Sequence, residues 1–254
     1  MRSILVLFRK DFILFRRDRG RVILTFLVPL AMIYLFGQVF GVNRESVAGN
    51  NGPSPMATQL VGGWAMQFLL FALVSSSNSL FEEKDRGLFQ RILSGPVRPS
   101  AILWSKFFYG VCLGLFQLTV LFIAGHILFG IEILRSLPLL ALVCVCAAAT
   151  CSAFGMLLAS VAQTSETAQG LSTLFILTMS ALGGAWFPLR FMPESMQHLS
   201  RFTLVYWSID GFRLVLWEHA PLGKLLPTIG ILVGISAALL SVAWWRFNRG
   251  QIFE

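Results

Sequence analysis

Long stretches without Asp, Glu, Lys or Arg alternate along this chain with short charged ones. Six uncharged runs reach at least 20 residues: Val22–Asn43, Ser46–Phe81, Phe107–Ile131, Ser136–Ser165, Thr167–Leu189 and Leu225–Trp245. A helix needs about 20 apolar residues to cross roughly 30 Å of hydrocarbon. In the second run, Asn50-Asn51-Gly52-Pro53-Ser54-Pro55 reads as a loop by its turn chemistry, so the apolar half begins near Leu60. The pattern predicts an all-α polytopic membrane protein. It is a single transmembrane domain over 1–254, with six transmembrane helices at 22–43, 60–81, 107–131, 137–160, 168–188 and 225–245.

The segments between the runs are patterned too. In 1–21, Ile4, Leu5, Phe8, Phe12 and Phe15 recur at helical spacing, with Arg2, Arg9, Lys10, Arg16 and Arg17 on the other side. A basic amphipathic helix of this kind is suited to lie in the inner membrane interface; the alternative is a plain positive-inside flank. The segment 82–106 opens with Glu82, Glu83, Lys84, Asp85 and Arg86, followed by Gly87. Leu88, Phe89, Ile92 and Leu93 then give a short apolar face with Arg91 opposite, before Ser94-Gly95-Pro96; Pro99-Ser100 starts the next helix. A short amphipathic helix between two breakers suits a charged knob presented to another protein. The segment 189–224 is too apolar for a solvated loop. Pro188 and Pro193 mark breaks, Pro193 in a first-turn position. Val205, Ile209, Phe212 and Leu216 fall on one helical face, and Asp210 and Arg213 are spaced to pair. This predicts two short helices that enter the outer leaflet and return, which is allowed where backbone packs against protein. The alternative is a helix lying at the surface with Tyr206, Trp207 and Trp217 in the aromatic belt.

Composition agrees with the pattern. The chain has 254 residues, 56% hydrophobic and 13% charged, against about 25% charged for soluble domains. Disorder, collagen and disulfide-rich scaffolds are excluded. The net charge of +8 gives sidedness rather than a nucleic-acid partner, because no soluble basic domain is present. With the N-terminus inside, fourteen of the 20 Lys and Arg fall in inner segments and six in outer ones. That bias places both termini in the cytoplasm. The basic first 21 residues lack a small-residue cleavage pattern, so no cleaved signal peptide is expected. Cys112, Cys144, Cys146 and Cys151 all lie in apolar runs, as packing residues.

The four lysines, Lys10, Lys84, Lys106 and Lys224, are followed by Asp, Asp, Phe and Leu. None completes a P-loop, so ATP hydrolysis by that route does not belong to this chain. No G-x-S-x-G or H-E-x-x-H occurs, and no catalytic, cofactor or metal residues are assigned. The apolar cores of the six spans hold no Asp, Glu, Lys or Arg, which argues against a proton or ion antiporter. Their polar residues, such as Gln67, Ser75 to Ser77, Asn78 and Gln117, fit either a pathway or interhelical hydrogen bonds.

These features resemble the ABC-2-type transporter permeases in three places. The cluster Glu82 to Gly87, then Ser94-Gly95-Pro96 and Lys106, is similar to that family's inner loop. Phe187-Pro188, Met192-Pro193 and Trp207-Ser208-Ile209-Asp210-Gly211-Phe212-Arg213 are similar to its outer segment. Arg16-Arg17-Asp18 precedes a first span containing Pro29 and ending in Phe36-Gly37. The resemblance covers nearly the whole chain. It implies the transmembrane half of an exporter in the cell inner membrane, paired with a second copy or a sister permease. Two copies of a separate ABC ATPase subunit would carry ATP and Mg, and membrane lipids would surround the spans. The interface helix (Arg9, Lys10, Arg16, Arg17) and the coupling loop (Glu82, Glu83, Lys84, Asp85, Arg86, Gly87, Leu88, Arg91, Pro96) would meet that ATPase. Pro188, Pro193, Asp210 and Arg213 would shape the outer re-entrant segment. The expected cargo is a drug, a lipid or a glycan-like molecule. The alternatives are a stand-alone channel or carrier and a non-transporting assembly factor.

Overall fold

A computed structural model describes residues 2–40, 55–85, 99–162 and 164–248. Nine α-helices occur among them: α1 Arg2–Arg17, α2 Arg19–Val39, α3 Pro55–Asp85, α4 Pro99–Phe129, α5 Leu137–Val161, α6 Ser165–Leu182, α7 Glu194–Ser200, α8 Leu204–Leu216 and α9 Leu222–Asn248. No strand occurs among the described residues.

Among the described residues, five helices are long and apolar enough to cross a membrane: α2, α3, α4, α5 and α9. The run expected to span 168–188 forms the shorter α6, whose Ser165-Glu166-Thr167 start is polar and which stops at Leu182. Gly183 and Gly184 follow, the latter at φ +85, a left-handed conformation that L side chains avoid. The other boundaries extend beyond the apolar runs. The fourth helix begins at Pro99, so Lys106 lies inside it rather than in a loop, and α3 continues through Asp85. Hydrogen bonds propagate past an apolar stretch until a breaker stops them, and Glu, Lys and Asp do not break helices.

The segment 1–21 is two helices, divided at Asp18. There the backbone leaves helical geometry, and the carboxylate accepts the Arg21 amide at 3.0 Å to cap α2. Farther along, Pro188 precedes a single 3₁₀ turn, Pro193 precedes α7, and the Thr203 hydroxyl caps α8 by accepting the Tyr206 amide.

The bundle is built around α3, which packs against α5, α4, α8, α6 and α2. Its Leu69, Leu70 and Leu73 are fully covered. Small residues permit the close approach: a Cβ on Gly155 of α5 would lie 3.0 Å from the Leu73 carbonyl oxygen of α3. Such contacts replace the hydrophobic drive that lipid cannot supply. α2 and α9 lie outside, with Leu24, Leu27, Val233 and Val242 exposed as lipid-facing residues would be. A second apolar cluster, including Leu80, Phe81, Ile102, Leu103, Met156 and Phe247, closes the end of the bundle nearest α1.

Between α6 and α9 the stretch up to Phe202 is largely exposed, but α8 is not. α8 packs among α3, α9, α5 and α6. Val205, Ile209, Phe212 and Leu216 are all buried, the face the spacing predicted. Phe212 meets Phe122 of α4 edge-on at 5.0 Å.

Candidate functional site

On α1, Phe8 packs edge-on against Tyr109 of α4 at 6.1 Å and Phe15 against Phe26 of α2 at 6.3 Å. Between them, three residues past Phe8 and four before Phe15, sits Asp11. It therefore lies on the same face and is buried. Phe12, which the periodicity puts on the apolar face, is exposed.

The Asp11 carboxylate accepts a hydrogen bond from Lys106 Nζ at 3.0 Å, with side-chain exposures of only 5% and 4%. The same ammonium donates to Ser79 Oγ of α3 at 3.0 Å. Lys10 stands 3.4 Å from the same carboxylate oxygen. One charge cluster thus ties three elements together: the interface helix, the end of α3 and the start of α4. A buried pair of this kind stabilises little in itself, but losing one partner strands a charge. It fixes one arrangement of α1 against the spans.

Beside the cluster opens a cavity of about 860 Å³ between α1, α2, α3, α4 and α6. Its wall combines Asp11, Arg21, Ser75, Asn78, Lys106 and Gln169 with Phe68, Phe71 and Tyr109. Asn78 Oδ1 and the second Asp11 oxygen are buried without a hydrogen bond.

At the other end of α3 the return segment is fixed to the core. Gln59 donates to the Gly184 carbonyl, Trp186 donates to Gln67 Oε1 at 2.6 Å, and a Cβ on Gly63 would run into the Ala185 carbonyl. Gln117 donates to the Thr25 carbonyl at 3.1 Å. Gln117 therefore bridges α4 and α2, and Gln67 ties α3 to the stretch after α6. Asp210 accepts from Arg213 at 2.7 Å and from Thr228 of α9 at 3.2 Å, and Arg213 also pairs with Glu218. Burial works against the Arg213 charge, but these bonds and the facing carboxylates more than offset it and hold its pKa above the ordinary arginine value.

Of the sequence-predicted site residues, Arg9, Arg16 and Arg17 are exposed on α1. Glu82, Glu83, Lys84 and Asp85 form the last turn of α3. Arg86, Gly87, Leu88, Arg91 and Pro96 lie outside the described residues. Asp11 and Ser79 were missed. The signal for Asp11 was present, an acid on the apolar face of a basic helix; Ser79 carried none.

A bundle of long apolar helices with α1 clamped to one end fits a multi-pass membrane protein. The ABC-2 type transporter family profile matches residues 2–217, and the chain belongs to that family. It is 27% identical to the inner membrane transport permease YadH of Escherichia coli, over 89% of this chain and 88% of YadH. It is 23% identical to the linearmycin resistance permease protein LnrN of Bacillus subtilis over 69% of this chain, and 23% identical to YhhJ of Escherichia coli over 71%. The chain spans about half the length of the latter two relatives, 45% and 48%.

Proposed function

We propose that this permease is the membrane half of an ATP-driven exporter, working with two copies of a separate ABC ATPase subunit that binds ATP and Mg. The observation that carries this reading is the Asp11–Lys106–Ser79 cluster. It fastens a basic interface helix to the two spans joined by the charged segment 82–98. An ATPase pushing on α1 and on that connection moves α3 and α4 together, because the ion pair ties α1 to α4 and the Lys106–Ser79 hydrogen bond ties α4 to α3. The sequence carries no P-loop lysine, in keeping with phosphate chemistry on a partner.

In this reading α6 and the Gly183–Phe187 stretch form the sixth crossing, and 189–224 re-enters from the outer side. Both termini lie in the cytoplasm, as the Lys/Arg bias favours, and the membrane is the inner one. Two permeases, identical or sister, complete the pathway. A relative named for linearmycin resistance favours outward movement, of a drug-, lipid- or glycan-like cargo.

Charge reversal in the coupling segment tests this. Glu83→Lys or Arg86→Glu is expected to abolish cargo-stimulated ATP hydrolysis while leaving membrane insertion intact. Stimulation at the wild-type level would overturn the reading. A channel, a carrier or an assembly factor would copurify with no P-loop protein.

A further inference from the structure

The end of the bundle away from α1 holds a second cavity, of about 360 Å³. Gln59 lines it, while Asn78 lines the cavity beside α1. Nineteen residues of α3 separate the two, about 29 Å at roughly 1.5 Å per residue. That distance matches the hydrocarbon thickness of about 30 Å, so the second cavity lies at the opposite membrane surface.

Three arginines line it: Arg190, Arg201 and Arg213. Asp210 is the single acid among the lining residues, and it is already engaged by Arg213 and Thr228. Arg190 and Arg201 make no ion pair among the described residues; Arg190 stacks over Phe191 at 4.9 Å. Gln59 and Gln197 spend donors on the Gly184 and Met192 carbonyls. The cavity thus keeps an excess of positive charge, presented by planar guanidinium forks that suit phosphate oxygens.

The setting says what kind of anion. Each of these two arginines precedes a strongly exposed phenylalanine, Phe191 at 69% and Phe202 at 86%. Phe187 and Leu199 are exposed nearby on the same segment. A site for a soluble anion gains nothing from such a collar, whereas aromatic residues beside cations are the makeup of a membrane interface. We propose that this cavity holds the phosphate-bearing headgroup of an anionic membrane lipid, with its chains lying along the Phe187, Phe191 and Phe202 collar. The proposal needs only the membrane location and is independent of ATP-driven transport.

Trp217 lines the cavity and reports on it. The full chain is placed in phosphatidylcholine nanodiscs carrying either brominated phosphatidylglycerol or brominated phosphatidylcholine at equal bromine content. The Trp217 signal is taken as the difference from Trp217→Phe. Phosphatidylglycerol is expected to quench it more strongly, and the Arg190→Gln/Arg201→Gln double variant to lose that excess. Both positions are exposed, so an unchanged thermal midpoint checks folding. Arg135→Gln, an exposed arginine paired with Glu132, is expected to keep the excess. Equal quenching by the two lipids, retention of the excess in the double variant, or its loss in Arg135→Gln overturns the proposal. Inorganic phosphate is expected to leave the excess in place. Its abolition by phosphate would overturn the lipid assignment in favour of a soluble phosphate compound.

Discussion

Asp11 and Lys106 are two opposite charges, each almost wholly withdrawn from solvent, on elements 95 residues apart in sequence. Breaking a buried pair by removing one partner costs up to about 3–5 kcal/mol, here lessened because Lys10 still stands 3.4 Å from the Asp11 carboxylate. Lys106→Met is therefore expected to lower the thermal midpoint of the detergent-solubilised protein sharply. Adding Asp11→Asn should restore most of the loss, and a double variant no better than the single would refute the pairing. The glycines give a contrast of similar kind. Gly63→Ala drives a Cβ into the Ala185 carbonyl, while nothing lies within 4 Å of a Cβ on Gly230. The first is expected to destabilise. The second is expected to be neutral or to stabilise by up to about 1 kcal/mol, as Ala does over Gly in helices. Thermal melts of the two variants side by side decide the point.

At the scale of elements, α8 is a helix within the bundle. Phe212 is fully covered and meets Phe122. Phe212→Ala should cost about 3–5 kcal/mol by opening a cavity, seen as a lower thermal midpoint. The pairing of Asp210 with Arg213 is tested by exchanging them. Each single reversal is expected to lose stability, and the Asp210→Arg/Arg213→Asp exchange to recover part of it. No recovery would mean that Thr228 and Glu218, not their mutual contact, determine these positions.

Much of this level was legible in the sequence. The 3.6-residue pattern gave the buried face of α8, and Pro188 and Pro193 fell at the starts of the 3₁₀ turn and of α7. Within the run 168–188 the helix stops at Leu182: charge-free composition does not register Gly183 and Gly184, whose backbone ends α6. Asp18 divides the N-terminal segment for a reason periodicity cannot supply: its side chain caps the following helix. Lys106 borders the apolar run that begins at Phe107. Its true role depends on Asp11 and Ser79, contacts between distant segments that no local pattern encodes.

For the molecule as a whole, the charges sit at the ends and the bundle interior is apolar, so force applied to one end travels through a few tethers. The central proposal is that the Asp11–Lys106–Ser79 tether would carry motion from an attached ATPase into α3 and α4. The most direct measurement is ATP-dependent transport in proteoliposomes holding this chain and its copurifying P-loop ATPase, comparing wild type with Asp11→Asn/Lys106→Met. The account predicts that the double variant still assembles and that the ATPase still hydrolyses ATP, while transport is lost. Transport at the wild-type rate without the ion pair would contradict it.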